Sequence, residues 1–173
     1  MANINREEFD ITLALPPPTD YDRLHPLADP QFPKLMRTKG YKVETVKMVR
    51  RKTGLIANVG ALLTLYSLIR KNKYKIVHTY STIAGLVGRL AAKLAGVPVI
   101  IHTPEGLPFN EQVIWWKCWL FTALERFLGS FTDALIASSE AERKQATVAG
   151  ILEPGKIIVI KNCLDTRTLT LIR

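Results

Sequence analysis

The chain has 173 residues, 47% of them hydrophobic and 23% charged, with 24 Lys and Arg against 15 Asp and Glu for a net charge of +9. This length and balance suffice for one domain with a buried core and exclude a disordered chain. The positive charge favours an anionic partner, whether a phosphate-bearing ligand, an anionic lipid surface or a nucleic acid, and does not choose among them.

Phe9 to Leu15 alternates apolar and polar residues and predicts a strand, stopped by Pro16, Pro17 and Pro18, which cannot donate to a sheet ladder. A loop follows to Pro33, then a short helix to Lys39 ended by Gly40, and a second strand from Tyr41 to Met48. Leu55 to Lys73 predicts a long helix with Leu55, Val59, Leu62, Leu63, Tyr66 and Ile69 on its inner side. The uncharged run within it, Leu55 to Ile69, is shorter than the roughly 20 residues that a bilayer asks for. The basic residues around it, Arg50 to Lys52 and Arg70 to Lys73, read as solvated helix ends or as a patch for phosphate or a membrane surface.

The centre of the chain is KIVHTYSTIAGLVGRLAAKLAGVPVIIHTPEG, Lys75 to Gly106. The run KIVH predicts a strand, TYST a turn, Ile83 to Ala95 a helix closed by Gly96, and VPVIIHT a second strand. A parallel pair joined by a crossover helix requires this spacing. Glu111 to Ser130 predicts an aromatic helix with Val113, Trp116, Leu120, Ala123 and Phe127 as its core stripe. Trp115 and Trp119 fall off that stripe, either packed on a neighbour or forming an exposed aromatic patch. Asp133 to Ala137 predicts a strand, and Ser139 caps a helix to Ala149 with Glu142 at the third position of a capping box. A last strand runs from Lys156 to Ile160. Six strands interleaved with helices predict an α/β fold with a doubly wound, mainly parallel, Rossmann-like sheet.

Cys118 and Cys163 show no metal-ligand spacing, and two buried thiols fit a reducing compartment. The opening residues lack the apolar centre of a signal peptide. A cytoplasmic location is expected from both. No dinucleotide glycine fingerprint, Walker sequence, nucleophile elbow or paired-His metal signature is present, which argues against a dinucleotide oxidoreductase and a P-loop nucleotidase.

The candidate site is therefore the pair of polar strand ends, because ligands of open α/β sheets bind beyond the carboxyl ends of the strands. His78, Thr79, Ser81, Thr82 and Gly85 surround a helix N-terminus suited to an anion, although a structural His and a plain Ser N-cap account for them equally well. His102, Thr103, Glu105 and Gly106 follow the next strand. Glu105 is a candidate general base or sugar-hydroxyl ligand, set against the commoner solvated loop carboxylate.

Three runs, IVHTYSTIAGLVGRLAAKLAGVPVIIHTPEGLPF, ALERFLGSFTDALIASSEAER and EPGKIIVIKNCLD, resemble the amino-terminal domain of the family-4 retaining glycosyltransferases of GT-B fold. The corresponding family phrases are V-H-T-H-S-x-K-A-G-x-x-G-R-x-A-A, H-T-x-H-G, T-D-x-x-I-A-V-S-E and I-x-V-I-x-N-G-V-D. The resemblance covers Ile76 to Asp165 in order and spacing. It implies an acceptor-side Rossmann-like domain over residues 1–165, lacking the family's first strand, with 166–173 opening a linker to a donor-binding domain. The family's second His is Glu105 here, which reverses the local charge preference, and its linker Gly is Cys163.

By the resemblance, the intact enzyme moves a hexose-type sugar from a nucleotide-sugar to an envelope, capsule or lipid-linked acceptor. It implies no metal or other cofactor, and a sugar acceptor rather than nucleic acid as partner. It places Glu105 at the reacting centre, His78, Ser81, Thr103, Gly106 and Ser139 at the substrate, and Asn162 and Asp165 at the hinge. This chain alone is expected to be inactive, and peripheral at the inner face of the cell membrane. Two other readings remain open at this point: a non-catalytic basic module docking on anionic membrane or a partner protein, and a flavodoxin-like domain for a phosphate-bearing ligand.

Overall fold

The computed structural model describes residues 5–17, 31–48, 58–104, 106 and 115–161. The chain divides into two compact units, Met1–Leu68 and Ile69–Arg173.

In the first unit, strand β1 (Thr12–Leu15) pairs in parallel with β2 (Lys42–Thr45), Thr12 opposite Lys42 and Leu15 opposite Thr45. Parallel strands need a crossover, and its helix, α1 (Phe32–Thr38), buries Pro33 and Met36 and packs on β2. The Arg6 guanidinium lies 4.2 Å from the centre of the Tyr41 ring and donates to the Lys39 carbonyl. Helix α2 (Val59–Asn72) begins in this unit and ends in the next.

The expected inner face of α2 is only partly the observed one: Ile69 is buried and Leu62 and Tyr66 are half-buried, as expected. Val59 and Leu63 are exposed, whereas Ala61, Leu65 and Ile69, four residues apart, are buried. Apolar residues occupy so much of this helix's circumference that spacing alone fits more than one stripe. The proposed residue Leu55 lies outside the described residues.

The second unit holds a four-stranded parallel sheet in the order β3 (Ile76–Tyr80), β4 (Val99–Thr103), β5 (Ala134–Ala137), β6 (Ile157–Val159). Its crossovers are α3 (Thr82–Ala95), α4 (Trp115–Gly129) and α5 (Glu140–Val148). Successive crossovers running one way across a sheet place their helices on one face, because such connections are right-handed. The burial pattern agrees: Thr79, Ile100, His102, Leu135 and Ala137 are buried on that side, while Ile76, Tyr80 and Ile158 of the opposite face are exposed and Thr103 is the buried residue there among those described. Strand β3 extends through Thr79 and Tyr80, which the sequence reading assigned to a turn.

Two cores hold the unit together. Leu135, Ala137, Ala146, Ile151 and Ile157 cluster between α5 and strands β5 and β6. Under α3 lie Val87, Ala91, Ala92 and Ile100, all essentially solvent-free. Helix α3 approaches the sheet this closely because it carries Gly85 and Gly88 at its contact line. A Cβ at Gly85 would overlap the His102 ring, and one at Gly88 would stand 2.6 Å from Thr79 Cγ2. The helix closes as expected on Gly96 at φ 74°, with Gly96 N–H donating to Lys93 O and Val97 N–H to Ala92 O.

Helix α4 overturns the expected core stripe. Trp116, Leu120, Ala123 and Phe127 are exposed, and so are Trp115 and Trp119. Among the described residues of α4 the buried ones are Glu125, Leu128 and Gly129, all near the carboxyl end, where Gly129 rests on the Ile151 backbone. A charge decides the rotation. Arg89, fully buried on α3, requires a counter-ion, and Glu125 can supply it only by facing inward.

Candidate functional site at the ends of β3 and β4

His78 and Thr103 stand near the carboxyl ends of neighbouring strands and on the same face of the sheet, because Ile101 pairs with His78 and Thr103 lies two residues further along. His78 Nε2 and Thr103 Oγ1 are 2.8 Å apart. The His78 residue is exposed overall, but its ring is sheltered enough that desolvation lowers its pKa and favours the neutral imidazole at physiological pH.

Ser81 follows directly. Its N–H donates to Thr103 O at 3.0 Å, and its carbonyl accepts from Gly85 N–H at 2.8 Å. It occupies the N-cap position of α3 at φ 72° and ψ 166°, and its hydroxyl makes no cap hydrogen bond. That backbone region is essentially confined to glycine and costs a serine on the order of 1–3 kcal/mol. The plain Ser N-cap reading is thereby corrected: Ser81 holds the N-cap position, but its hydroxyl makes no cap hydrogen bond, and its backbone N–H ties it to Thr103.

Behind this surface lies a buried layer. Thr79 Oγ1 donates to Ile101 O at 3.3 Å and sits 2.9 Å from His102 Nδ1. With its one hydrogen on the carbonyl, the hydroxyl accepts from His102 Nδ1–H, leaving Nε2 with the lone pair. His102 is fully buried; burial first, and then the Arg89 charge, lower its pKa to about 3. It is a neutral structural imidazole. Arg89 Nη2 lies 2.9 and 2.8 Å from the two Glu125 carboxylate oxygens, and Nε donates to Gly85 O at 3.0 Å. Burial lowers the Arg89 pKa, and Glu125 opposes that shift.

A second carboxylate joins the end of β4 to the start of α5. Glu142 Oε1 accepts Gly106 N–H at 2.8 Å, while Oε2 accepts Ser138 N–H at 2.6 Å and Ser138 Oγ–H at 2.8 Å. Ser139 caps α5 as expected, accepting Glu142 N–H at 3.2 Å. The reciprocal half of the box is redirected, since the Glu142 side chain reaches Ser138 and Gly106. Gly106, at φ 99°, occupies a conformation that favours glycine.

The structure thus brings His78, Ser81 and Thr103 together by direct bonds, and ties Gly106 to the Ser138–Ser139 turn through Glu142. Glu105, Asn162 and Asp165 lie outside the described residues, as does Cys163. Among the described residues no three His, Cys, Asp or Glu side chains cluster so as to hold a metal ion. Sequence reading saw Glu142 as a cap alone; its distant partner Gly106 has no local signal. Arg89 and Glu125 carried one, a charge amid apolar neighbours on each of two helices.

A parallel α/β sheet with polar strand ends at its carboxyl edge, one of them followed by the strained Ser81, defines a Rossmann-like domain. Residues 1–163 match the glycosyl transferase 4-like domain, and the chain belongs to that family. It is 36% identical over 115 residues to a UDP-Gal:alpha-D-GlcNAc-diphosphoundecaprenol alpha-1,3-galactosyltransferase of Escherichia coli, covering 66% of this chain and 30% of that protein. It is 28% identical over 112 residues to the capsular polysaccharide biosynthesis glycosyltransferase CapM of Staphylococcus aureus, covering 65% and 29%. The chain therefore spans about a third of the length of these relatives.

Among solved structures, UDP-N-acetylglucosamine 2-epimerase aligns with a TM-score of 0.53 at 14% identity, over 86% of this chain and 45% of that one. MurG of Acinetobacter baumannii aligns with a TM-score of 0.50 at 10% identity, over 91% and 46%. These two establish the Rossmann-like, GT-B-type fold.

Proposed function

We propose that this chain is the acceptor-side domain of a glycosyltransferase that moves a hexose-type sugar from a nucleotide-sugar to an envelope, capsule or lipid-linked acceptor at the cytoplasmic face of the cell membrane. The observation that carries the reading is the His78–Thr103 pair beside the strained Ser81, at adjacent strand ends of a glycosyltransferase-family sheet. These three side chains offer a neutral imidazole and two hydroxyls to a polyhydroxylated acceptor. Gly106, held by Glu142, and Glu105 lie near the reacting centre, with Ser139 at the substrate's edge. Asn162 and Asp165 serve as the hinge to a donor-holding domain, and the reaction uses no metal or other cofactor. The E. coli relative's name supplies the acceptor class, a sugar on diphosphoundecaprenol.

Transfer requires a donor-holding domain working beside this one. The test uses the full-length gene product with nucleotide-hexoses and a sugar-diphosphate polyprenol acceptor in detergent. His78→Ala and Thr103→Ala are expected to raise the acceptor KM with little change in the donor KM. Absence of transfer from every nucleotide-hexose to such acceptors, by folded full-length protein, would overturn the reading.

A further inference from the structure

We propose that Arg89, Glu125 and His102 are positioning residues, a buried clamp on the first turn of α3 that keeps Ser81 in its strained conformation and so fixes the side chain it offers to the acceptor. The strain at Ser81 needs such a hold. A residue other than glycine stays at φ 72° and ψ 166° only where its surroundings over-determine it. Relaxation to the ordinary negative φ would redirect the Cα–Cβ bond of Ser81.

The contacts form a continuous chain from two neighbouring elements to that one residue. Ser81 N–H is fastened to Thr103 O on β4, and Ser81 O to Gly85 N–H one turn into α3. Gly85 is held in its turn. A Cβ there would overlap the His102 ring, and the Gly85 carbonyl accepts Arg89 Nε–H at 3.0 Å. Arg89 Nη2 donates to both carboxylate oxygens of Glu125 on α4. The His102 ring is locked by Thr79 Oγ1, which is itself bonded to Ile101 O.

Stability alone does not account for the ion pair. Arg89 and Glu125 are both withdrawn from water, and Arg89 Nη1 and His102 Nε2 have no hydrogen-bond partner among the described residues. Apolar residues of similar volume often equal or exceed a buried ion pair in stability. They would fill the same space, but none could donate to the Gly85 carbonyl. The guanidinium adds direction, because its planar fork fixes a carbonyl of α3 and a carboxylate of α4 at once.

Thermal melting of the full-length protein tests the clamp without recourse to catalysis. Ser81→Gly is expected to raise the midpoint by about 2–4 °C in the unaltered background, where it relieves the strain. In R89M/E125L the turn has already relaxed, and the triple variant S81G/R89M/E125L should gain nothing. Independent sites would add. His102→Ala, which removes the other support of Gly85 and leaves the ion pair in place, should cancel the gain in the same way, and it serves alone if R89M/E125L does not fold. A gain of the same size in either altered background, or no gain in the unaltered one, would overturn the clamp.

The link to the acceptor rests on the proposed function, and transfer kinetics test it separately. R89M/E125L is expected to raise the acceptor KM about tenfold or more at an unchanged donor KM, a split that a loss of folded protein does not produce. An unchanged acceptor KM would overturn the positioning role. Absence of transfer by the unaltered protein, with the melting results as expected, sinks the enzyme reading and leaves the clamp standing.

Discussion

The carboxylate of Glu142 and the amide of Gly106, 36 residues apart, are joined at 2.8 Å across the space between the end of β4 and the start of α5. The same side chain holds Ser138 through both its N–H and its hydroxyl. Glu142→Ala leaves these donors without their acceptor and is expected to cost about 1–3 kcal/mol. Amide hydrogen exchange is the discriminating measurement: Gly106 and Ser138 should lose protection together, with the strands of the sheet unaffected. Glu142→Gln, which keeps an acceptor oxygen, should restore part of it.

Arg89 and Glu125 form a buried pair in which either partner alone is a liability. Arg89→Ala or Glu125→Ala is expected to destabilise by about 3–5 kcal/mol, since an uncompensated charge remains in the core. The double variant R89M/E125L removes both charges and should lie much closer to the unaltered protein. Urea unfolding of the four proteins checks the ordering.

His102 predicts how the domain responds to acid. Its pKa falls from an unfolded value of 6.5 to about 3 on folding, through burial and the nearby Arg89 charge. Below pH 6.5 the unfolded chain takes up a proton that the folded chain refuses. The stability contributed by the neutral ring is therefore complete above that pH and declines as the pH falls towards 3, approaching about 1.4 kcal/mol per unit. Unfolding midpoints at pH 7, 6 and 5 should show this slope, and His102→Gln should flatten it.

Ser81 carries backbone strain that glycine relieves. Ser81→Gly is expected to raise stability by about 1 kcal/mol, the strain removed less the extra freedom of glycine when unfolded. Ser81→Ala, which keeps a Cβ, should give no such gain. A thermal melt compares the three. If the hydroxyl serves the acceptor as proposed, both substitutions lower acceptor use by the full-length protein, so that Ser81→Gly separates stability from activity.

Much of this fold was legible because its signals are local. The run from Ile76 to Thr103 has a β-branched strand, an uninterrupted helix, a glycine stop and a second strand, and the structure matches it within two residues at each boundary, β3 continuing two residues beyond His78 to Tyr80. The position of His78 and Thr103 near neighbouring strand ends was legible for the same reason, since polar residues at the close of apolar runs mark strand ends. Orientation was not. Helices α2 and α4 are apolar over most of their circumference, and which stripe turns inward depends on the surface each one meets. For α4 that was settled by Arg89 on another helix, a partner invisible to periodicity. Ser81 likewise offered no warning, because a strained serine and a capping serine have the same letter.

In the second unit the order of strands across the sheet repeats their order along the chain. Each strand therefore pairs with the one made just before it, through a single crossover helix, and no pairing must wait for a distant segment. Such an arrangement keeps sequence separation between partners short, which favours rapid folding. It also lets the sheet grow strand by strand at the ribosome, where chains emerge at about 5–20 residues per second. Protection from protease should consequently appear on nascent chains once β3, β4 and β5 have cleared the exit tunnel, while β6 is still inside it.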